Sequence, residues 1–403
     1  MKRIIIVLCL LPIITFISCD NKEKSIKQPY VLMVSYDGFR YDYPDMYNTP
    51  NLDKLAEIGV KAHSLKPSYP SKTFPNHYTI ATGLYPNNSG IVNNSFYAPD
   101  LDKHYSIGSE AVYNPDFYNG EPIWVTAEKN DITSASFFWV GSETKIKGIL
   151  PTYWKKYQHH FPFEQRIDSV INWLQLPYEK RPHLILLYFH EPDAIGHKAG
   201  PNSIATKHTI EYLDSLTGVL YSKLNALPQK DSINLIITSD HGMAPIYKDS
   251  SIFLNEHLKK SWIADIQGSN PVYNIKAAKN CEDSILNALK NIKSIHTWKS
   301  SEIPKRLHYG SNPRTLDINI LAKENQSVYL NRREEYLKGT HGYDNDFKKM
   351  HAIFYACGPD FKKNYQGKTF ENVCIYPMIC HIFNIKEAEN DGEFDSIKEY
   401  IKN

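Results

Sequence analysis

Three short, largely apolar runs punctuate the chain: Val31 to Tyr36, Leu184 to His190 and Leu235 to Ser239. Runs of this length without polar alternation predict strands buried on both faces, the habit of a parallel sheet covered by helices. Between the second and third, Ser203 to Leu227 repeats Tyr212, Leu213, Leu216, Val219, Leu220 and Leu224 at helical spacing, as a crossover helix does. A second amphipathic helix is predicted over Phe163 to Leu174, where Phe163, Ile167, Val170, Ile171 and Leu174 share a face. Near the start, Asn51 to Ile58 follows Thr49 as N-cap and Pro50 at the first helical position, and a helix ending at Thr82 is bounded by Gly83. Ser134 to Phe138 and His351 to Ala356 read as further strands, and Glu371 to Phe383 as a closing helix. From about 250 to 335 the pattern loosens into short pieces, with a strand at Thr315 to Leu321 and a helix near Asp283 to Ile292. The expectation is an α/β domain over 30–386 with a mostly parallel central sheet, helices on both faces and a small α+β cap inserted at about 250–335. Residues 387–403 read as a polar C-terminal tail.

Residues 1–19 carry Lys2 and Arg3, the apolar run Ile4 to Ile17 and then Ser18-Cys19. This is the pattern of an export leader, and its apolar run is shorter than the ~20 residues of a membrane-spanning helix. A small residue followed by Cys resembles a bacterial lipoprotein cleavage site. A lipid anchor at Cys19, a polar tether over 20–29 and a periplasmic or cell-surface location are therefore expected, with ordinary signal-peptide cleavage and an uncleaved anchor as the alternatives. The formal net charge is +2, and both excess charges belong to the leader. The neutral remainder implies no nucleic-acid surface. Cys281, Cys357, Cys374 and Cys380 match no zinc-binding spacing and leave free thiols and one disulfide both open.

Asp37, Asp193 and Asp240 each come shortly after one of the three strands, and the carboxyl ends of such strands are where open α/β sheets form their sites. Asp193 and His197 lie four apart, which on a helical turn puts both side chains on one side. Taken singly, such a pair is ordinary surface, and Asp37-Gly38 or Asp240-His241 is an ordinary turn. Together with His341 they supply carboxylates and imidazoles without a thiolate, a set that suits zinc and, less well, manganese. Thr73 opens the helix ending at Thr82, where it serves equally as cap or as a nucleophile in need of activation. The free amides of that first turn would favour a phosphate oxygen.

The segments Val34-Ser35-Tyr36-Asp37-Gly38-Phe39-Arg40, Lys72-Thr73-Phe74-Pro75-Asn76-His77-Tyr78, Gly90-Ile91-Val92-Asn93-Asn94, Glu191-Pro192-Asp193-Ala194-Ile195-Gly196-His197, Ser239-Asp240-His241-Gly242-Met243 and Thr340-His341-Gly342 resemble, in order, those of the nucleotide pyrophosphatase/phosphodiesterase family. That family belongs to the alkaline phosphatase superfamily, so the resemblance implies an alkaline phosphatase-like fold. It implies two zinc ions, with Mn2+ as an alternative: one held by Asp193, His197 and His341, the other by Asp37, Asp240 and His241 with the Thr73 oxygen. It implies that Thr73 attacks phosphorus to form a covalent intermediate, that Asn94 donates to a phosphate oxygen, and that Phe74 and Tyr157 clamp a nucleoside base. The implied activity is hydrolysis of nucleotide phosphodiester or phosphoanhydride bonds to nucleoside monophosphates. Ser95 departs from the Lys that some ATP-preferring relatives carry after this Asn, which weakens the case for a triphosphate preference. Two other readings remain: a phosphodiesterase on lysophospholipid or choline-bearing diesters, for which Tyr153, Trp154 and Tyr157 offer aromatic rings, and a binding protein that has kept the fold alone.

Overall fold

The computed structural model describes residues 28–402; the leader, Cys19 and most of the tether lie outside them. The central sheet has eight strands. In chain order they are β1 (Tyr30–Tyr36), β2 (Val60–Ala62), β3 (Ser134–Phe137), β4 (Tyr153–Lys155), β5 (Leu184–Phe189), β6 (Ile233–Thr238), β7 (Phe354–Cys357) and β8 (Tyr365–Gly367). Their spatial order is β8-β2-β7-β6-β1-β5-β3-β4, and only β7 runs against its neighbours. The unalternating apolar runs have a direct cause: Val31 and Met33 point into one core while Leu32 and Val34 point into the other. Helices α1 (Pro50–Ile58), α3 (Phe163–Leu174) and α5 (Ile204–Asn225) cover the second face, and α2 (Thr73–Thr82) and α6 (Ile375–Phe383) the first. Burying each Leu or Ile of these strands between two helical layers contributes roughly 1.5–3 kcal/mol.

Ser203 caps α5 as its position predicts, accepting from the Thr206 amide at 3.1 Å. Thr49 holds the N-cap position of α1 but makes no capping bond. The Asp214 carboxylate of α5 instead takes the amides of Leu52 (2.8 Å) and Asn51 (3.2 Å), a charged acceptor displacing a hydroxyl at a helix N-terminus.

The inserted region forms a four-stranded antiparallel sheet in the order Ile263–Ser269, Val272–Ala277, Ile318–Ala322 and Ile295–Lys299, with a helix at Glu282–Leu289 and its own apolar cluster. Its third strand starts later than Thr315 because Pro313–Thr315 forms a 3-10 turn. The expected polar tail is corrected at one point. Ile397, Tyr400 and Ile401 are buried against the main core, in and beside two short 3-10 turns at Phe394–Ser396 and Lys398–Tyr400. All four described cysteines are free thiols. Among the described residues no helix is long and apolar enough to cross a membrane.

Candidate active site

The ends of β1, β5 and β6 deliver the three carboxylates side by side. Gly38 turns the chain after Asp37 at φ +70, and a Cβ there would stand 3.0 Å from both Cα and Cβ of Asp193, so this close approach requires glycine. The Asp193 amide donates to the Asp37 carbonyl at 2.9 Å and opens helix α4 (Asp193–Ala199), which carries His197 one turn on. Asp240 and His241 follow β6 directly. His341 arrives from beyond the insertion because Gly339–Thr340 pairs antiparallel with Ala244–Pro245.

One ligand atom each from Asp193, His197 and His341 lies within 4.8 Å of the others, as does one each from Asp37, Asp193 and His241. Each of the three imidazoles has its Nδ1 against a backbone carbonyl: His197 on Gly339 (2.8 Å), His241 on Gly242 (2.8 Å) and His341 on Ser71 (2.9 Å). A carbonyl only accepts, so Nδ1 carries the proton and the bare lone pair of Nε2 is turned inward. There it meets carboxylate oxygens, which also carry lone pairs. His241 Nε2 lies 3.0 Å from Asp240 Oδ2 and 3.5 Å from Asp37 Oδ1, while His197 and His341 Nε2 lie 3.4 and 3.5 Å from Asp193 Oδ1. These same three oxygens, Asp37 Oδ1, Asp193 Oδ1 and Asp240 Oδ2, are buried and accept no hydrogen bond.

Acceptors facing acceptors repel, and two like charges ~4 Å apart cost about 4 kcal/mol at an effective dielectric of ~20. Burial, then Asp240 and Asp193, accordingly holds the Asp37 carboxyl well above the usual carboxylate range. Burial likewise lowers the pKa of His241 and takes that of His341 well below the imidazole range, which favours the neutral form of both rings. Inward lone pairs, orphaned carboxylate oxygens and neutral imidazoles fit divalent cations between them.

Thr73 is the first residue of α2, and Lys72 rather than Thr73 holds the N-cap position. The Thr73 hydroxyl is therefore not spent on capping; Oγ1 lies 3.2 Å from His241 Nε2. The first-turn amides are less free than the sequence implies: Phe74 donates to Asn94 Oδ1 at 2.9 Å, Pro75 has no N–H, and Asn76 bonds back to the Lys72 carbonyl. That first contact fixes the flip of the Asn94 amide, leaving Nδ2 as its donor. Asp37, Thr73, Phe74, Asn94, Tyr157, Asp193, His197 and His341 all line one cavity of about 510 Å3, while Asp240 and His241 lie beneath it, fully buried. Its aromatic lining includes Tyr113, Tyr118, Phe138 and Trp139 as well.

Two neighbours escaped the sequence reading. The Tyr188 hydroxyl donates to Asp37 Oδ2 at 2.6 Å, and its position inside an apolar strand gives no hint of this. His77 sits one helical turn after Thr73, its Nδ1 3.3 Å from Asp240 Oδ2 and its Nε2 2.9 Å from Ser35 Oγ. The signal for His77 was present, since residues four apart on a helix share a face.

Residues 31–344 match the family model for type I phosphodiesterase/nucleotide pyrophosphatase. The chain is 35% identical over 93% of its length to bovine ectonucleotide pyrophosphatase/phosphodiesterase family member 3 and 36% identical over 94% to the venom phosphodiesterase of Crotalus durissus collilineatus. It spans 44% and 47% of those two proteins, somewhat under half of each. Murine ectonucleotide pyrophosphatase/phosphodiesterase 5, solved as an inactive threonine-to-alanine variant in complex with AMP, superposes with a TM-score of 0.89 at 33% identity, covering 93% of this chain and 100% of that one. The human form of the same enzyme gives a TM-score of 0.88. Sequence, fold and the order of the site segments agree, and the chain belongs to the type I phosphodiesterase/nucleotide pyrophosphatase family.

Proposed function

We propose that the protein is a metal-dependent phosphodiesterase and nucleotide pyrophosphatase, cleaving nucleotide phosphodiester or phosphoanhydride bonds to nucleoside monophosphates through a covalent intermediate on Thr73. The observation that carries this reading is the Thr73 hydroxyl, uncommitted to its helix, 3.2 Å from His241 Nε2 and lining the same cavity as Asp37, Asp193 and His341. Family membership supports it, as does the AMP found with the inactive murine variant.

In this reading Asp193, His197 and His341 would hold one zinc ion, and Asp37, Asp240 and His241, with the Thr73 oxygen, the other. When bound, the ions lower the pKa of the Thr73 hydroxyl and offset charge on the phosphoryl oxygens. Thr73 Oγ1 gives up its proton to water and forms the bond to phosphorus, and the leaving oxygen departs with the electron pair of the bond that breaks. Water then cleaves the threonine–phosphoryl bond, restoring the hydroxyl and releasing the nucleoside monophosphate. Asn94 Nδ2 donates to a non-bridging oxygen as its charge grows. Phe74 and Tyr157 take the base between apolar faces. Tyr188 keeps Asp37 Oδ2 occupied, so that Oδ1 alone is offered inward.

One observation favours a second reading. Among the described residues no Lys or Arg lines the cavity, whereas Glu143 stands in its aromatic wall, as would suit a choline-type head group. Kinetics of the zinc-loaded protein on the p-nitrophenyl ester of thymidine monophosphate, ATP, p-nitrophenylphosphorylcholine, a lysophospholipid and a simple phosphomonoester separate the two. We expect the thymidine ester and ATP to lead; a wide preference for the choline diesters would overturn the nucleotide assignment while leaving the chemistry. The leader pattern further supports export with an anchor at Cys19, for which Cys19→Ser should abolish partition with membranes.

A further inference from the structure

Arg166, near the start of α3, is 0% exposed and has no carboxylate partner within ion-pair distance among the described residues. A buried charge of this kind is costly unless its donors are met. Here they are met by backbone carbonyls on two sides. Nε donates to Phe161 at 3.1 Å and one Nη to His159 at 3.3 Å, while the other Nη donates to Tyr188 at 2.8 Å. The guanidinium also lies over the rings of Phe163 (4.7 Å), Phe138 (5.0 Å) and Phe189 (5.6 Å).

What the fork joins is informative. Residues 156–162 form no helix or strand, yet they carry Tyr157 and His159 into the wall of the cavity; Tyr188 belongs to β5, the strand that leads to Asp193. Tyr157 in turn is pinned to this loop, its hydroxyl 2.9 Å from His159 Nδ1, and the His159 ring stacks on His190 at 4.0 Å. Glu143, which accepts from the Tyr157 amide at 3.0 Å, offers a further side-chain tie to the loop near that ring.

We infer that Arg166 is a positioning residue for substrate selection: its planar fork ties the 156–162 loop to the end of β5 and so sets the aromatic wall that receives the nucleoside half of the diester. This rests on the nucleotide reading proposed above. Burial pushes the guanidinium down to about 10, which leaves it charged at neutral pH. A lysine in its place keeps the charge but cannot reach carbonyls on both sides at once, so the geometry of the fork separates from its charge.

The test compares wild type, Arg166→Lys and Arg166→Met, zinc-loaded, on two diesters with the same reacting group: the p-nitrophenyl ester of thymidine monophosphate and methyl p-nitrophenyl phosphate. Both variants should raise KM for the thymidine ester, and weaken calorimetric binding of thymidine monophosphate, by about tenfold, the scale of one lost charge-assisted hydrogen bond. Both should leave kcat/KM for the methyl ester within about twofold. Should Arg166→Met fail to fold, Arg166→Lys retains charge and most of the volume and carries the test. Equal losses on both diesters, or a lysine variant indistinguishable from wild type, would overturn the inference alone. If wild type does not prefer the thymidine ester to the methyl ester, the nucleotide reading falls and this inference falls with it.

Discussion

The ligand cluster and the aromatic wall share one cavity but are held by different means. Asp37, Asp193 and Asp240 stand within four residues of strand ends, and the rings of His197, His241 and His341 are each oriented by a backbone carbonyl. The wall at Tyr157 and His159 belongs to an irregular loop held by side chains, among them the fork of Arg166, the Glu143 carboxylate, the ring stack on His190 and the packing of Tyr157 and Phe161 against Phe138. On the proposed function, the sheet itself would set the bond-breaking geometry, while selection would fall to a segment outside the sheet and its helices. Substitutions in the two regions should therefore have separable consequences.

The largest effect is expected in the cluster. Thr73→Ala should lower turnover of every diester by about 10⁴-fold or more, the scale of losing a nucleophile. Metal content by elemental analysis should stay near two ions per chain, since Asp37, Asp240 and His241 remain. Thr73→Ser, which keeps the hydroxyl, should retain measurable turnover. A Thr73→Ala protein working near the wild-type rate would show that no covalent intermediate on this residue is required.

The gathering of Asp37, Asp193, His197, Asp240, His241 and His341 at one end of the sheet was legible in the sequence for a physical reason. Taken singly an Asp or His after a strand is ordinary, but the carboxyl ends of parallel strands lie side by side, so residue type and position together carry the information. The three strands were legible as unalternating apolar runs, and α3 and α5 through helical periodicity, each within a few residues. Tyr188 was not, because an aromatic residue in a buried strand reads as core whether or not its hydroxyl reaches a carboxylate. The wall was hidden likewise: Arg166 occupies a polar position of an amphipathic helix in sequence and is wholly buried in the fold. The packing of Ile397 and Tyr400 depends on a groove that only the assembled core supplies.

Asn94 sits on the border between the two regions, so its replacement sharpens where one ends. Asn94→Asp keeps an acceptor for the Phe74 amide but removes the Nδ2 donor and adds a negative charge beside the phosphoryl position. We expect kcat to fall by about 10²-fold on nucleoside and methyl esters alike, as for loss of an oxyanion donor. A fall confined to the thymidine ester would assign Asn94 to the wall instead. Tyr157→Ala should do the reverse, raising KM for the thymidine ester about tenfold with little change on the methyl ester, in line with the loss of one stacking partner. Equal loss on both substrates would erase the division between cluster and wall.

The smallest expected effect concerns acid, and it falls on the wall through His190. Burial, followed by the charges of His159, Arg166 and His160, takes its imidazole down to about 3. In the unfolded chain it titrates near ~6.5. Between those values the unfolded state binds the extra proton, so the stability this neutral ring contributes is complete above pH ~6.5 and is lost as pH falls toward about 3. His190→Gln removes the titrating group while keeping a polar side chain of similar reach against the His159 ring. Thermal melts of the zinc-loaded protein at constant ionic strength should show a shallower decline between pH 6 and 4 than wild type, a difference of about 2 to 4 °C for each kcal/mol recovered. At pH 8 the two proteins should melt within a few degrees of each other, because neither carries the charge there. An unchanged acid slope would mean that the ring already meets water in the folded state, and that the loop carrying His159 is looser than its tie to Arg166 implies.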